Sequence, residues 1–390
     1  MVKKIAVLIA DSIYNRKGMM NAELNRINNL KEVADYYIDT YTFQTYAGRL
    51  VRKIRGTSKS ERPEQLNIDG INVTIKWKKF SLIDYILTVK LHKPAFINRD
   101  WELKYIPEFR NYDIIVANST EMGFLAYKIH EKYHIPYYVT WHGTDIHTAP
   151  FISKSRFQKT KTVMENAEMN FMVSNALLET SKQISSSSRT MVLNNGVSLS
   201  FKRYSDNYRK ELKCEMGVDG KKVVAFAGHL IEVKNPQLFP DIFDEVYRNY
   251  NAPIEFWVMG TGKYSEYVRT QCAIKNIPLK MWGNIDPEQM PVMLNCVDVL
   301  ILPSRNEGLP LIAAEALACG ANAVGARVGG IPEVMGVENT FEHGTSFIPR
   351  ISNRIVEMLN SNITQELLPC YSWKETAKIE NDIYKAKLKM

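Results

Sequence analysis

Residues 302–320 read Leu-Pro-Ser-Arg-Asn-Glu-Gly-Leu-Pro-Leu-Ile-Ala-Ala-Glu-Ala-Leu-Ala-Cys-Gly, and this stretch decides the fold. It predicts a buried strand that ends at Leu302, then a loop, then a helix. Pro310 suits the first turn of that helix, where a missing N–H group costs nothing. The alanines and the leucine that follow are strong helix formers, and Gly320 fits the end of the helix. The stretch is therefore one strand–loop–helix step of an α/β sheet.

Two glutamates in this stretch stand at informative positions. Glu307 and Gly308 are predicted at the helix N-terminus and at the carboxyl end of a strand, where open α/β sheets bind ligands. Free N–H groups there favour a phosphate, and Gly308 lets a ligand approach the backbone closely. Glu315 follows about 9 Å along the helix axis. Two carboxylates at that spacing can grip two polyhydroxyl groups, one on each side of a diphosphate.

The alternative reading makes both glutamates solvated surface residues, since acidic residues are common near helix starts. Glu315, however, lies between Ala314 and Ala316 in an almost wholly apolar helix. Such surroundings argue against an idle carboxylate. We therefore favour the functional interpretation of both side chains.

Outward from this stretch, short apolar runs alternate with helix-length polar segments. Runs of this kind indicate parallel strands that are covered on both faces. The predicted strands are residues 5–10, 113–117, 136–140, 170–173, 222–227, 254–259 and 299–302, with a helix over residues 18–30 and a hairpin over residues 68–77. They predict two doubly wound α/β domains, residues 1–200 and 201–370, joined near residues 198–206.

Composition agrees with a globular chain. The 390 residues are 45% hydrophobic and 24% charged, which is ordinary for a protein with a sizeable core. The five cysteines are scattered and form no C-x-x-C pair, which favours core thiols in a reducing compartment. We therefore expect a cytoplasmic protein. The apolar start of the chain ends at Asp11 and predicts a buried first strand rather than a signal peptide.

The net charge of +8 is unevenly distributed. Basic residues concentrate at Arg49, Arg52, Lys53, Arg55, Lys59, Arg62, Lys76, Lys78 and Lys79. One interpretation is a solvated loop. The other is a cationic surface for an anionic membrane or acceptor, since each such charge contributes about 1 kcal/mol. Nucleic acid is not expected as a partner, because no nucleic-acid-binding module accompanies these residues.

Further short motifs occur along nearly the whole chain. They are weakest over residues 40–110. They are His-Gly-Thr-Asp at 142–145, Val-Ser at 173–174, Asn-Gly-Val at 195–197, Ala-Gly-His at 227–229, Lys-Asn-Pro at 234–236, Gly-Thr-Gly at 260–262, Trp-Gly-Asn at 282–284 and Gly-Gly-Ile-Pro-Glu at 329–333. With the E-x7-E spacing of Glu307 and Glu315, the chain resembles family 4 of the retaining nucleotide-sugar glycosyltransferases. The resemblance implies the GT-B fold: two facing Rossmann-like domains, an inter-domain cleft, and a terminal helix, residues 371–390, that crosses back to the first domain.

The resemblance also implies roles for residues of the second domain. Glu307 would contact the hydroxyls of the donor sugar, Glu315 the ribose, and Lys234 the diphosphate leaving group. The N–H groups of Gly308 and Leu309 would donate to the diphosphate, with Pro310 beside them.

Three more positions follow from the same resemblance. His142 would face the anomeric carbon from the first domain, Gly18 would admit a phosphate or acceptor, and Asn284, just after Gly283, would meet the nucleobase. His229 stands where the family usually has an arginine on the diphosphate. Its charge at neutral pH is conditional, so either bound phosphate raises its pKa, Arg305 or another cation substitutes, or diphosphate affinity is lower.

We expect no metal ion or other cofactor. The sequence contains no Asp-x-Asp, and a lysine with helix N-terminal amides can stabilise the leaving group. The expected partners are a nucleotide-sugar donor and a glycan or lipid-linked acceptor, as in surface polysaccharide assembly, with peripheral contact at the inner face of the membrane. The alternative is a catalytically weak binding subunit that supports a partner enzyme. A Rossmann oxidoreductase is disfavoured, because Gly-Thr-Gly at 260–262 is followed by Ser265 where the fingerprint needs a third glycine. A nucleotide-sugar epimerase fits the E-x7-E spacing poorly.

Overall fold

Strands and helices alternate along the chain in a computed structural model, which describes residues 2–10, 18–55, 61–87, 100–361 and 363–389. The strands are β1 (Lys4–Ile9), β2 (Tyr37–Ala47), β3 (Gln65–Ile68), β4 (Ile71–Phe80), β5 (Ile114–Asn118), β6 (Tyr137–Trp141), β7 (Met169–Met172), β8 (Thr190–Val192), β9 (Lys222–Ala227), β10 (Ile254–Met259), β11 (Leu279–Gly283), β12 (Val299–Leu302), β13 (Asn322–Ala326) and β14 (Thr340–Phe341).

Most strands are followed by a helix. The helices are α1 (Gly18–Val33), α2 (Arg49–Arg55), α3 (Leu82–Tyr85), α4 (Ser119–Tyr133), α5 (Thr144–His147), α6 (Lys154–Asn166), α7 (Asn175–Ser181), α8 (Asp206–Glu215), α9 (Phe239–Asn249), α10 (Ser265–Ile274), α11 (Met290–Cys296), α12 (Leu311–Ala318), α13 (Ile331–Met335), α14 (Phe347–Asn360) and α15 (Trp373–Leu388). Within the described residues, no helix has the length and apolar content of a membrane span.

The chain divides into two compact units. The first comprises Met1–Val173, Leu177–Leu193 and Trp373–Met390, and the second comprises Ser174–Ala176 and Asn194–Ser372. The divisions thus fall at 193/194 and 372/373, where the sequence predicted 200/201 and 370/371. Helix α15 belongs to the first unit.

The first unit is built on an eight-stranded sheet of order β3-β4-β2-β1-β5-β6-β7-β8. Every described pair is parallel except β3 with β4, which form the predicted hairpin. The apolar side chains of β1 are buried against α1 and, through Tyr384, against α15. Burial on both faces explains why these strands read as continuous apolar runs.

The second unit is built on a six-stranded parallel sheet of order β11-β10-β9-β12-β13-β14. Its core includes a chain of aromatic rings from β9, α9 and β10. Ring centroids lie 4.5 Å apart for Phe226 and Phe239 and 4.6 Å apart for Phe243 and Phe256. The prediction of two Rossmann-like parallel-sheet domains is confirmed; the cleft between them stays a prediction.

Two details of the sequence interpretation are wrong. Cys214 and Cys370 are exposed rather than core thiols, because each lies at the edge of its unit's packing, at the end of a polar helix or in a loop. Helix α12 begins at Leu311, with Pro310 as its N-cap. The extended ψ of 85° at Pro310 keeps it out of the first turn, so Glu307 and Gly308 lie in the preceding loop.

Candidate functional site

The strand order of the second sheet reverses between β9 and β12. Strands β9, β10 and β11 proceed toward one edge, whereas β12, β13 and β14 proceed toward the other. Such a switch point leaves a crevice at the carboxyl ends of the two central strands. Lys234 ends a short 3-10 turn after β9, and Glu307 lies in the loop after β12. Both predicted site residues therefore flank the switch point.

Lys234 and Glu307 form a partly buried ion pair at this point. Lys234 Nζ donates to Glu307 Oε1 at 2.5 Å, and Ser304 Oγ donates to the same oxygen at 2.8 Å. Only 24% of the Lys234 side chain and 12% of the Glu307 side chain are exposed. A lysine ammonium has three N–H donors, and among the described residues Lys234 has no acceptor besides Glu307, which leaves two donors for a ligand. The sequence predicted both residues, but not their pairing or the buried Ser304.

Arg305 fastens the two loops to each other. Its backbone N–H donates to Val233 O at 2.8 Å, its Nε donates to Asn235 Oδ1 at 3.3 Å, and its Nη1 pairs with Glu232 Oε1 at 2.8 Å. Since its guanidinium is held by Glu232 and Asn235, Arg305 acts here as a brace that holds the Lys234 loop against the Glu307 loop.

The loop before α12 presents unused backbone donors. Within the described part of the chain, the N–H groups of Gly308 and Leu309 donate to no protein acceptor. Gly308 is half-buried, while the side chains of Leu309 and Pro310 are buried. Any contact of these two residues with a ligand would therefore come from the backbone. Unpaired N–H groups ahead of a helix are a suitable anion site.

Gly329 and Gly330 support this loop from behind. Gly330 N donates to Glu307 O at 3.1 Å. A Cβ atom on Gly329 would lie 1.9 Å from Glu307 O, and one on Gly330 would lie 2.3 Å from Gly308 O. Only glycine lets the two backbones approach this closely. The sequence does not reveal this role of the two glycines, because their contact joins loops about twenty positions apart.

Glu315 is half-buried on α12. Burial raises the pKa of its carboxyl to about 7. Within the described residues it has no side-chain ion pair or hydrogen bond. The expectation of a carboxylate in apolar surroundings is therefore met, although the residue is not fully enclosed.

His229 and Asn284 lie on neighbouring loops of the same edge. Both residues are exposed, and Asn284 Oδ1 accepts from Thr261 Oγ1 at 2.9 Å. The loop that carries His229 is bonded through backbone groups to residues 259–261. A Cβ atom on Gly260 would lie 2.0 Å from Gly228 O, so the glycines of this segment serve backbone packing.

The two remaining predicted residues belong to the first unit. Gly18 is the first residue of α1, and residues 11–17 before it lie outside the described residues. His142 follows β6, and 8% of its side chain is exposed. Burial, with a smaller contribution from the charge of Arg26, lowers the pKa of His142 to about 3. The imidazole is therefore neutral near pH 7 and acts only through hydrogen bonds.

Residues 209–380 match the family described as glycosyl transferases group 1. This part of the chain is similar to that family. The matched region contains the Lys234–Glu307 ion pair, the loop of Gly308, and Glu315. The predicted resemblance to glycosyltransferases is thereby confirmed.

Curated relatives of this chain include two proteins of Bacillus subtilis. TuaC, named as a teichuronic acid biosynthesis glycosyltransferase, is 26% identical over 226 residues, which cover 57% of this chain and 55% of that protein. Spore coat protein SA is 29% identical over 213 residues, which cover 50% and 56%. The D-inositol 3-phosphate glycosyltransferase of Segniliparus rotundus is 28% identical over 176 residues, which cover 43% and 39%. The chain thus spans about half the length of the curated relatives it matches.

Solved structures of low sequence identity share the fold over almost the full chain. Sucrose-phosphate synthase from Thermosynechococcus elongatus superposes with a TM-score of 0.71 at 14% identity, covering 98% of each chain. Anabaena HepE in complex with UDP and glucose superposes with a TM-score of 0.65 at 17% identity, covering 99% and 98%. These matches support the two-domain α/β fold.

Gly329→Ala should destabilise the second unit. Its Cβ would collide with Glu307 O, and its φ of +50° disfavours a side chain. We expect a loss of about 2 to 4 kcal/mol in the free energy of unfolding, measured by urea denaturation. The control is Gly217→Ala, which has a φ of +75° but no atom within 4 Å and should lose only about 1 to 2 kcal/mol. Equal losses would show that the close packing does not matter.

Glu315→Gln should change how stability depends on pH. The carboxyl has a raised pKa of about 7 against an ordinary 4.5, so the folded state holds a proton that the unfolded state has released between these values. The free energy of unfolding then falls as pH rises through about 7. We expect the variant to be more stable than the wild type by about 1 to 3 kcal/mol at pH 8 and equally stable at pH 4 in urea titrations. A difference that is independent of pH would contradict this account.

Proposed function

We propose that the chain is a retaining glycosyltransferase, which moves a sugar from a nucleotide-diphosphate donor to a glycan or lipid-linked acceptor without a metal ion. The observation that carries the proposal is the set of hydrogen-bonding groups at the β9–β12 switch point. There, Lys234 pairs with the Glu307 carboxylate and keeps two further N–H donors. Within the described residues, the backbone N–H groups of Gly308 and Leu309 have no protein acceptor. That set matches the charges of a diphosphate attached to a polyhydroxyl sugar.

The diphosphate leaves with increasing negative charge as the sugar bond breaks. Lys234 would stabilise that charge, and the N–H groups of Gly308 and Leu309 would donate to the phosphate oxygens. In the structure, the Lys234 charge is balanced by Glu307 at 2.5 Å. Donor binding would bring a second anion to Lys234. Two N–H groups of the ammonium would then donate to phosphate oxygens, and the third would still donate to Glu307.

Glu307 would accept hydrogen bonds from hydroxyls of the donor sugar on the reacting face. Its carboxylate would also favour positive charge at the anomeric carbon. Attack by the acceptor on the face that the diphosphate leaves would retain the anomeric configuration. Glu315 would accept from the ribose hydroxyls, and Asn284 and its backbone neighbours would meet the base.

Names of the relatives support a nucleotide-sugar donor. Anabaena HepE is described in complexes with UDP and with UDP-glucose, and an Escherichia coli trehalose-6-phosphate structure holds UDP-2-fluoro glucose. A thermal-shift panel of nucleotide sugars tests the donor class, because a ligand at 100 times its Kd adds about 2.7 kcal/mol. Transfer or hydrolysis of the donor that gives the largest shift is the expected result. A flat panel and no turnover would overturn the proposal.

A catalytically weak binding subunit is the second candidate. The observation that favours it is His229, an exposed histidine at the position where the resembling family usually has an arginine. This candidate predicts donor binding without turnover in the purified chain. His229→Arg would then increase donor affinity and restore turnover, whereas an active transferase turns over with histidine in place.

Helix α2 supports contact with an anionic membrane. Leu50 and Ile54 lie one turn apart on it and are 57% and 54% exposed, and Ile83 on α3 is 69% exposed. Arg49 and Lys53 are exposed on the same helix. Lys59, part of the predicted basic cluster, lies outside the described residues. Exposed apolar side chains flanked by cations are typical of helices that lie in a membrane interface.

The double variant Leu50→Ser, Ile54→Ser should bind anionic vesicles at least tenfold more weakly, since each apolar side chain contributes about 1.5 kcal/mol or more on burial. Sedimentation with phosphatidylglycerol vesicles at low salt measures this. The control is Leu199→Ser in the second unit, which removes a side chain that is 93% exposed and should leave binding unchanged. Absence of vesicle binding by the wild type would contradict the membrane contact.

A further inference from the structure

Asn118 and His142 meet inside the first unit at the carboxyl ends of two adjacent strands. Asn118 is the last residue of β5 and is 4% exposed, and His142 follows β6, which pairs with β5. The residue after Asn118, Ser119, has a φ of 66°. A left-handed serine costs about 1 kcal/mol and persists only where its surroundings enforce it.

Two hydrogen bonds fix the amide of Asn118. Its Nδ2 lies 3.3 Å from Leu8 O, and its Oδ1 lies 3.1 Å from His142 Nε2. A carbonyl oxygen only accepts, so the NH₂ group must face Leu8 and the oxygen must face His142. An oxygen facing Nε2 requires the proton on Nε2. The amide therefore selects one tautomer of the neutral imidazole.

A nearby carboxylate favours the same tautomer. Glu23 Oε1 lies 3.9 Å from His142 Nε2, and the Glu23 side chain is fully buried. Negative charge beside Nε2 favours a hydrogen on that nitrogen. In the same cluster, Arg26 Nε donates to Glu380 Oε2 at 2.6 Å. This buried pair joins α1 to α15 and keeps the positive charge of Arg26 close to the ring.

The backbone at His142 is held as well. The N–H groups of His142 and Gly143 both donate to the carboxylate of Asp145, at 3.2 Å and 2.7 Å. Neither end of the histidine is therefore free to turn. Within the described residues, no hydrogen bond is found for the other ring nitrogen, Nδ1, and 8% of the His142 side chain is exposed. A bare Nδ1 is an acceptor, and its complement is a hydroxyl or N–H donor.

We propose that Asn118 is a positioning residue, which holds His142 as the Nε2–H tautomer and leaves Nδ1 as a hydrogen-bond acceptor at the carboxyl edge of the sheet of the first unit.

Nuclear magnetic resonance of isotope-labelled histidine tests the tautomer directly, because a bare ring nitrogen and an N–H nitrogen have well separated chemical shifts. The signals of His142 are those lost in His142→Gln. We expect a bare Nδ1 and a protonated Nε2 in the full chain. Asn118→Ala should move both signals toward a mixture of tautomers, and Asn28→Ala, whose side chain bonds to Asp69 O on the surface of the same unit, should not. A proton on Nδ1, or unchanged signals in Asn118→Ala, would overturn the proposal.

Asn118→Asp is the conservative variant if the alanine variant does not fold. It keeps the acceptor oxygen and adds a negative charge beside Nε2–H. We expect the Nε2–H tautomer to be retained and the pKa of His142 to rise in a pH titration of the ring signals. A titration identical to that of the wild type would contradict the contact.

Discussion

Glu307→Gln should lower the rate of sugar transfer by about a thousandfold while the fold survives. The glutamine keeps the size of the side chain and an acceptor for Ser304, but it loses the negative charge that lies 2.5 Å from Lys234 Nζ. Removing one preorganised electrostatic group from a partly buried site typically costs a hundred- to thousandfold in kcat, on the order of 3 to 4 kcal/mol. Initial rates with the donor measure the effect, and urea denaturation confirms the fold.

The matched control for this substitution is Glu266→Gln. Glu266 also pairs with a cation, Arg269, at 2.6 Å, but 78% of its side chain is exposed. Such surface pairs contribute little, so the control should retain wild-type rates and stability. Normal turnover in Glu307→Gln would remove the residue from the mechanism, and a comparable loss in the control would point to a general effect of charge.

Lys234→Met should lower kcat about a hundredfold or more and donor affinity at least tenfold. The methionine cannot stabilise the leaving diphosphate, and it leaves the Glu307 carboxylate without its cation, so that this carboxylate repels the incoming phosphates. Hydrogen bonds to charged groups are worth about 1.5 to 3 kcal/mol each, which sets the expected loss in affinity. Calorimetry with the nucleoside diphosphate and steady-state rates measure the two effects.

Two variants make this result specific. Lys234→Arg keeps the charge and should retain most of the affinity for the diphosphate. Lys221→Met removes a lysine that forms a partly buried pair with Glu255 at 3.1 Å, away from the switch point, and should have no effect on binding. In a double variant, the losses from Glu307→Gln and Lys234→Met should not add, because paired residues couple by about 0.5 to 3 kcal/mol. Strictly additive losses would show that the pair does not act as one site.

The sequence was sufficient to predict where the strands beside the candidate site end. Apolar runs buried on both faces place Leu302 at the end of a strand, and the polar loop that follows must then lie at the carboxyl edge of the sheet. Glu307 was predicted as a site residue because it stands a few residues after such an end, whereas Lys234 was predicted from the family resemblance. Glu315 was predicted because a charge in an apolar helix needs an explanation.

Contacts between loops were not predictable in the same way. The Lys234–Glu307 pair joins residues 73 positions apart, and its existence depends on β9 and β12 being neighbours, an order that local patterns do not encode. The sequence does not show that a Cβ atom on Gly329 would lie 1.9 Å from Glu307 O. The start of α12 was misplaced by one residue because proline is compatible with both the N-cap and the first turn.

The first unit shows the same limit. His142 was chosen on a motif alone, and its neighbours Asn118 and Glu23 gave no signal in the sequence. Asn118 ends a strand and Glu23 lies within α1, where an isolated polar residue is ordinarily a surface residue. Only the packing of α1 against β1 and β5 brings them to the imidazole.

Titration of the nucleotide-sugar donor into the wild-type chain and into Lys234→Met, each with excess EDTA and with excess Mg²⁺, tests most directly whether the β9–β12 switch point holds the diphosphate without a cation. We predict equal affinities for the wild type in both buffers and binding at least tenfold weaker in Lys234→Met. Wild-type binding that appears only with Mg²⁺, or binding by Lys234→Met that equals the wild type, would contradict the account.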